Sequence, residues 1–192
     1  MRATTLSLLA SVLMIMALIS CGNDESKEES NDSAKRNPHG AQHLVYQTPD
    51  SWVKEIPSSR MRRAQYKLPG QNGAGDAEMA VFVFPGSGGA VSANIDRWIG
   101  QFRQPDGSSS SDKAVVDEKV INGLKMTTVS LTGTYLKSAS MMSGDVEELK
   151  NYELMAVIVE TETDPWFFKV TGPEETINYW KDSFNDFLLT IK

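Results

Sequence analysis

Two stretches of the chain are apolar on both alternating sets of positions. They are AEMAVFVF, residues 77–84, and LMAVIVE, residues 154–160. A strand with one exposed face alternates apolar and polar residues, whereas a strand covered on both faces is apolar throughout. Both stretches are therefore predicted to be strands of a sheet that has further layers above and below it.

The connections between the predicted strands favour antiparallel pairing. Asn122-Gly123 lies between two strand-like runs, and both residues accept the positive φ of a type I′ turn. A second hairpin is predicted from Val159 to Phe168 through ETETDP. Further strands are predicted at residues 44–48, around Trp52 and in the extended run RMRRAQYKLP, residues 60–69.

Two amphipathic helices complete the set of elements. The first is predicted from apolar residues at helical spacing, namely Ile95, Trp98, Ile99 and Phe102. The second is predicted to begin at Pro173, with Glu174 and Glu175 at its positive end. Its apolar stripe consists of Ile177, Trp180, Phe184, Phe187, Leu188 and Ile191. The predicted fold class is α+β, an antiparallel sheet with helices on both faces as an α/β/α sandwich.

The beginning of the chain has the pattern of a secretion signal. One positive residue, Arg2, precedes an apolar run at residues 6–19, which is too short to span a bilayer comfortably. The run ends in Leu18, Ile19, Ser20 and Cys21, which resemble the lipobox of bacterial lipoproteins. Cleavage between Ser20 and Cys21 and lipidation of Cys21, with palmitate among the acyl chains, would anchor the protein stably in a membrane.

These patterns divide the chain into three parts. Residues 1–20 are predicted to be a lipoprotein signal peptide, and residues 21–42 the lipidated cysteine with a polar, disordered tether. Residues 43–192 are predicted to form a single globular α+β domain. Gly22 after the cysteine resembles the sorting signal for the outer membrane, so the expected location is the bacterial cell envelope, with the domain facing the periplasm.

Composition and charge exclude several classes of function. The 192 residues are 40% hydrophobic and carry a formal net charge of -6, which argues against non-specific binding of nucleic acid. The chain has one cysteine, so it has neither an internal disulfide nor a four-cysteine zinc site. Its two histidines, His39 and His43, fall in or beside the tether, which makes a conventional catalytic triad improbable.

Acidic residues are numerous enough to raise the question of a cation site. Two groups would have to come together to hold calcium, and solvated turns explain them more readily. They are Asp145, Glu147, Glu148, Glu160, Glu162 and Asp164. No spaced calcium loop is present, so no metal-binding residue is predicted. No catalytic or cofactor-binding residue is predicted either.

The three arginines Arg60, Arg62 and Arg63 form the one basic cluster. As a candidate interaction patch they would meet anionic lipid or an acidic envelope protein. On a strand, Arg60 and Arg62 would share a face and Arg63 would take the other. The alternative is a charged edge strand that discourages aggregation.

A glycine-rich loop with Gly86, Gly88 and Gly89 lies between the first apolar strand and the first helix, where nucleotide-binding proteins hold phosphates. No lysine follows these glycines, and Val91 stands where a dinucleotide fingerprint requires glycine or alanine. The loop is therefore interpreted as the corner that swings the helix onto the sheet.

Several blocks together resemble the PsbP-like family, which includes an extrinsic subunit of the photosynthetic oxygen-evolving complex and the Mog-type Ran-binding proteins. The blocks are TPDSW, AEMAVFVF and FFKVTGPEETINYWKDSFNDFLLTIK, within residues 43–192. GDAEMAVFVFPGSGGAVSANIDRWIGQF and WFFKVTGP are also similar to uncharacterised bacterial lipoproteins. The resemblance implies a binding or assembly factor without catalytic residues, and it transfers no metal ligand or partner residue to this chain.

Three hypotheses about function follow. The first is a non-catalytic accessory or assembly module held at the membrane by its lipid, where confinement raises its effective concentration near partners. The second is a lipoprotein that binds a small ligand in a pocket between sheet and helix. The third is an unrecognised envelope hydrolase, which would need grouped carboxylates with perturbed pKa values.

Overall fold

The computed structural model describes residues 44–84, 91–138 and 145–192. Eight strands lie in these ranges: β1 (Val53–Glu55), β2 (Ala64–Leu68), β3 (Ala77–Val83), β4 (Phe102–Arg103), β5 (Val115–Ile121), β6 (Leu124–Ser138), β7 (Val146–Glu160) and β8 (Trp166–Pro173). The helices are α1 (Val91–Ile99), α2 (Ser110–Lys113) and α3 (Glu174–Thr190). The fold is thus mixed α+β.

The strands form one sheet in the order β1-β2-β3-β8-β7-β6-β4, and β5 also pairs with β6. Each of the pairs is antiparallel. The two stretches that are apolar on both faces become β3 and the second half of β7, and β8 lies between them. The most apolar strands therefore occupy the middle of the sheet, as their sequences predict.

Both predicted hairpins are confirmed. Asn122 and Gly123 have φ angles of 51° and 80°, as a type I′ turn requires, and they join β5 to β6. The Asn122 side chain also donates hydrogen bonds to the carbonyls of Leu189 and Ile191, at 2.9 and 2.8 Å. The turn therefore holds the end of α3 as well. The second hairpin joins β7 to β8, with Val159 opposite Trp166.

Two helices lie where the apolar spacing predicts them, but α1 ends earlier than predicted and α3 begins one residue later. Ile95, Trp98 and Ile99 are buried on α1, whereas Phe102 lies beyond the helix in β4 and pairs with Tyr135. Gly100 follows the helix directly, which explains why the spacing continues but the helix does not. Helix α3 begins at Glu174, directly after Pro173.

Alternate residues of the central strands belong to two different hydrophobic clusters. Met79, Phe168 and Val170 pack in a first cluster that includes the apolar stripe of α3. Phe167 and Ile158 belong to a second cluster, which includes the buried residues of α1. The period of two along each strand thus separates the side chains that pack with α3 from those that pack with α1.

Residues 44–48 are not a strand, contrary to the sequence-based expectation. Val45 instead exchanges two backbone hydrogen bonds with Lys192, at 2.8 and 3.0 Å, so the start of the described domain is fastened to its end. None of the helices in the described residues is both long and apolar enough to cross a membrane. Ser20, Cys21, the two histidines and the glycine-rich loop lie outside the described residues, as does the tether.

Candidate ligand-binding groove

Two adjoining cavities, of about 290 and 340 Å³, lie on the sheet beside α1. They share five lining residues, so they form one continuous depression, and these are Arg62, Glu78, Gln101, Tyr135 and Thr171. Lys169 lines the first cavity, and we call the whole depression the Lys169 groove. Its combined size falls within the usual range of small-molecule sites.

The pairing of the strands explains why there is space around Lys169. The residue lies on β8 in the middle of the sheet, opposite Ala80 of β3 and Ala156 of β7. Directly opposite residues of antiparallel strands project on the same face, so the lysine has a one-carbon side chain on either side. Two small neighbours leave its ammonium group accessible from above rather than packed from the sides.

Lys169 is half-buried and makes few polar contacts. Its Nζ donates a hydrogen bond to Oε1 of Gln101 and lies 5.3 Å from the centre of the Tyr135 ring. The pKa of Lys169 is lowered to about 8, mainly by burial and in part by the positive charges of Arg97 and Arg62, while Glu78 acts in the opposite direction. The groove thus holds an ammonium group in an environment that disfavours its charge.

Positive charge exceeds negative charge in the first cavity. Arg62 pairs with Glu78, with Nη1 2.7 Å from Oε1, and the same nitrogen also lies 2.6 Å from Oε1 of Gln65. Arg97 donates to the neutral amide oxygen of Asn94 at 2.8 Å. Among the described residues, neither Arg97 nor Lys169 has a carboxylate oxygen within 4.0 Å. The single carboxylate of this cavity, that of Glu78, therefore pairs with only one of its three cationic side chains, Arg62.

Aromatic rings line both ends of the groove. Phe82 and Phe84 are stacked with their centroids 6.0 Å apart, and Trp98 contributes to the same wall. At the other end Tyr135 and Tyr152 are stacked at 6.1 Å. Burial raises the pKa of both tyrosines, so their hydroxyl groups stay neutral at physiological pH. The groove combines flat apolar walls with a charged floor, which suits a ligand that has both characters.

A separate depression of about 460 Å³ lies between α1 and α2, but its polar groups serve the fold. The Gln104 side chain donates to the carbonyl of Thr132 and to Ser110, at 3.0 and 3.1 Å. Ser110 in turn donates to the carbonyl of Phe102 at 2.8 Å. Because these donors are already used to fasten β4 and α2 to β6, the Lys169 groove is the better candidate for a binding site.

The structure separates the three arginines of the predicted interaction patch. They precede β2, which begins at Ala64, so none of them lies in a strand. Arg60 is exposed in a turn, whereas the half-buried Arg62 lines the groove. Arg63 lies close to Tyr46, whose pKa is raised mainly by burial and held down in part by this arginine. Tyr46 packs against the first hydrophobic cluster, so Arg62 and Arg63 point to different environments.

The two acidic groups are far apart. Glu147 and Glu148 lie at the start of β7 and Glu160 lies at its end, twelve to thirteen positions further along the strand, a separation of roughly 40 Å. In the described ranges, no three His, Cys, Asp or Glu residues are grouped closely enough to hold a metal ion. The two groups are therefore too far apart to ligate one cation together.

A serine and a lysine do share the first cavity, but they do not form a catalytic pair. Ser59 Oγ accepts a hydrogen bond from the Met61 amide at 3.1 Å, and Lys169 donates to Gln101. The described structure contains no hydrogen bond between Ser59 and Lys169. A serine nucleophile needs a base within hydrogen-bond reach, so this arrangement does not supply an activated hydroxyl group.

Comparison with known proteins gives structural likenesses only. No protein-family model matches the chain, and no curated protein is significantly similar to it in sequence. A protein of unknown function from Pseudomonas aeruginosa has a similar structure, with 13% identity and a TM-score of 0.46, over 77% of this chain and 95% of that one.

Two further similar structures carry names. Cyanobacterial PsbP (CyanoP) from Synechocystis sp. PCC 6803 is 10% identical with a TM-score of 0.48, over 78% of this chain and 85% of that one. LpqN from Mycobacterium tuberculosis, described as involved in cell envelope biogenesis, is 13% identical with a TM-score of 0.43, over 75% of this chain and 79% of that one. Likenesses at this level assign neither an activity nor a partner to the chain.

Proposed function

We propose that this chain is a lipid-anchored envelope protein whose folded domain binds a small ligand in the Lys169 groove without transforming it. The observation that supports the proposal is the convergence of polar side chains from six elements or connections on one cavity between the sheet and α1. A pocket of this kind distinguishes the ligand-binding hypothesis from an accessory module with a flat surface. The ligand-binding alternative therefore replaces the accessory module as the leading hypothesis.

The groups around Lys169 favour binding over catalysis. The carboxylate of Glu78 is engaged by Arg62, and the described residues bring no second carboxylate into the first cavity. Mechanisms that use two carboxylates require one to act as acid and the other as base or nucleophile. The cavity offers positive charge, neutral donors and aromatic surface, which are features of recognition.

The proposal also concerns the architecture around the groove. We infer that α3 and α1 cover opposite faces of the sheet, as in an α/β/α sandwich of the PsbP-like type. Support comes from the two hydrophobic clusters, since neighbouring residues such as Phe167 and Phe168 belong to different clusters. In this arrangement α1 covers only part of its face, and the uncovered part is the Lys169 groove.

The anchor is tested separately from the groove. We expect processing to be blocked by globomycin and Cys21 to be labelled by a palmitate analogue, because acylation at this thiol is what the lipobox directs. A Cys21→Ala protein should lose the label and leave the membrane fraction. Labelling that persists in the Cys21→Ala protein would contradict lipidation at this residue.

Protein-observed NMR with a fragment library tests the groove. The purified protein is titrated with small aromatic and aliphatic compounds, each class represented by anionic, neutral and cationic members. We expect chemical-shift changes that cluster on Trp98, Gln101 and Thr171. Ala80→Leu should abolish them, because the larger side chain fills the space beside Lys169.

Ala93→Leu is the matched control, since residue 93 is exposed on α1 and does not line the groove. It should bind the same compounds as the wild type. Compounds that bind elsewhere, or that bind Ala80→Leu equally well, would contradict the ligand-binding proposal and return the accessory module to first place.

A further inference from the structure

The most informative feature of the groove is a cation without a counter-ion. Lys169 has three N–H donors on its ammonium group, of which one meets the neutral amide of Gln101. The Tyr135 ring provides a weaker contact with the charge. A charged group withdrawn from water is normally paired with an opposite charge, so the site is electrostatically incomplete as it stands.

Among the described residues, Glu78 is the one carboxylate that acts on Lys169, and it is already paired. The groups that face Lys169 are Arg62 before β2, Glu78 on β3, Arg97 on α1 and Tyr135 on β6. Glu78 is drawn towards Arg62, and Tyr135 is neutral. The undescribed segments 85–90 and 139–144 contain no acidic residue in their sequences. The described part of the folded domain thus provides no free carboxylate to pair with Lys169, so a counter-ion would have to come from outside the domain.

The surroundings of the ammonium group provide room for that partner. Ala80 and Ala156 flank Lys169 on the neighbouring strands, and the cavity above them holds about 290 Å³. Arg97 lines the same cavity and is bonded to the neutral Asn94 side chain. An anion entering here would meet two cations that have no carboxylate of their own, and charge-assisted hydrogen bonds of this kind are the stronger ones.

We infer that Lys169 receives the phosphate or carboxylate group of a small ligand, whose apolar part lies against Phe82 and Phe84. This inference rests on the proposed function, and it names the chemistry of the ligand that the groove takes. The anionic group either takes the ammonium hydrogen that Gln101 now accepts or binds the two hydrogens that remain.

Four probes test the inference: phenyl phosphate, benzoate, inorganic phosphate and neutral benzyl alcohol. Each is titrated into the purified protein at pH 7 and low ionic strength, and binding is followed by calorimetry and by NMR. We expect the two aromatic anions to bind at least about tenfold more tightly than benzyl alcohol. The affinity for phenyl phosphate, compared with that for benzoate, then distinguishes a phosphate ligand from a carboxylate ligand. The affinity for inorganic phosphate measures the contribution of the anionic group alone.

Lys169→Met should reduce binding of the aromatic anions at least about tenfold while leaving binding of benzyl alcohol unchanged. Lys54→Met removes an equal charge from exposed β1, outside the groove, and should bind as the wild type does.

The pKa of Lys169 in the wild-type protein gives a second test, which does not depend on any variant. Saturating phenyl phosphate should raise the pKa of the Lys169 side chain, followed by NMR, by about one unit, because tenfold tighter binding to the charged form corresponds to one unit.

The outcomes separate this inference from the proposed function. Equal affinity for anionic and neutral probes, with shifts that still map to the groove and disappear in Ala80→Leu, would overturn the anion inference and leave the groove as a binding site. An unchanged Lys169 pKa in the presence of bound phenyl phosphate would overturn it as well. Probes that do not map to the groove at all would overturn the proposed function itself.

Discussion

Replacing Lys169 by methionine should make the domain more stable, although it removes a hydrogen bond. The reason is that the folded state holds this ammonium group where its charge is disfavoured: burial first, and then the charges of Arg97 and Arg62, lower the pKa of Lys169 from 10.5 to about 8. Methionine retains an unbranched apolar stem of similar length and carries no charge. It would fill the same space between Ala80 and Ala156 without the desolvation cost.

The pKa shift sets the size of the expected effect. One pKa unit corresponds to about 1.4 kcal/mol, so the difference between 10.5 and about 8 places the cost of keeping Lys169 charged in the folded state near 3 kcal/mol at pH 7. The substitution also leaves the Gln101 side chain without its donor, which reduces the gain in stability by about 1 kcal/mol. The expected net gain for Lys169→Met is therefore about 2 kcal/mol in the free energy of unfolding at pH 7.

The same difference predicts how stability depends on pH. Between about pH 8 and 10.5 the unfolded chain keeps the Lys169 proton and the folded chain releases it, so stability rises with pH. From pH 7 to 9.5 the wild type should gain about 2 kcal/mol from this residue. The buried tyrosines have raised pKa values and reduce stability only above about pH 10, where the unfolded chain ionises its tyrosines.

Urea denaturation followed by tryptophan fluorescence measures both effects, because all four tryptophans are buried in the fold. Midpoints are compared at pH 7 and 9.5 for the wild type, Lys169→Met and the exposed control Lys54→Met. The rise with pH should be present in the wild type and the control and absent from Lys169→Met. A Lys169→Met protein that is less stable than the wild type at pH 7, or that keeps the rise, would refute the assignment of an uncompensated charge.

Three further substitutions test the fold by the same assay at pH 7. Asn122→Ala should cost about 2 kcal/mol, because it removes two hydrogen bonds to the end of α3 and places alanine at a φ of 51°; an unchanged midpoint would contradict this role. Gly172→Ala should cost more than about 2 kcal/mol, since a Cβ there would lie 2.3 Å from that of Ala77 on β3, whereas Gly75→Ala meets an ordinary contact and should be tolerated. Thr176→Val should cost about 1–2 kcal/mol, because the buried hydroxyl group donates to the Gly75 carbonyl at 2.7 Å; stability equal to that of the wild type would show that this carbonyl finds another donor.

The fold was predictable where a local pattern has one structural solution. The stretches that became β3 and β7 are apolar on both faces, and only the middle of a covered sheet satisfies such a strand. The Asn122-Gly123 pair specified its turn because few other residues accept its backbone conformation. Phe102 was misassigned because helical spacing continued past Gly100, and a buried aromatic residue looks the same whether helix or strand presents it.

The groove was not predictable in the same way because its parts meet only through tertiary structure. Arg62 was singled out as part of a basic cluster, but its role in the groove depends on Glu78, sixteen positions away on β3. Gln101 reaches Lys169 across sixty-eight positions. No periodicity or spacing along the chain connects such residues, so a single sequence carries no direct sign that they share a cavity.

One local sign was nevertheless present. In WFFKVTG the lysine occupies the position two residues after Phe167, on a face that a covered sheet would keep apolar. A lysine at such a position conflicts with the pattern around it, and local conflicts of this kind occur where function is selected at the expense of stability. The pairing with Ala80 and Ala156 extends the argument, because two small neighbours keep the charge accessible instead of covering it. If Lys169 serves to bind an anion, a single substitution to methionine should therefore move stability and binding in opposite directions, which a purely structural lysine would not do.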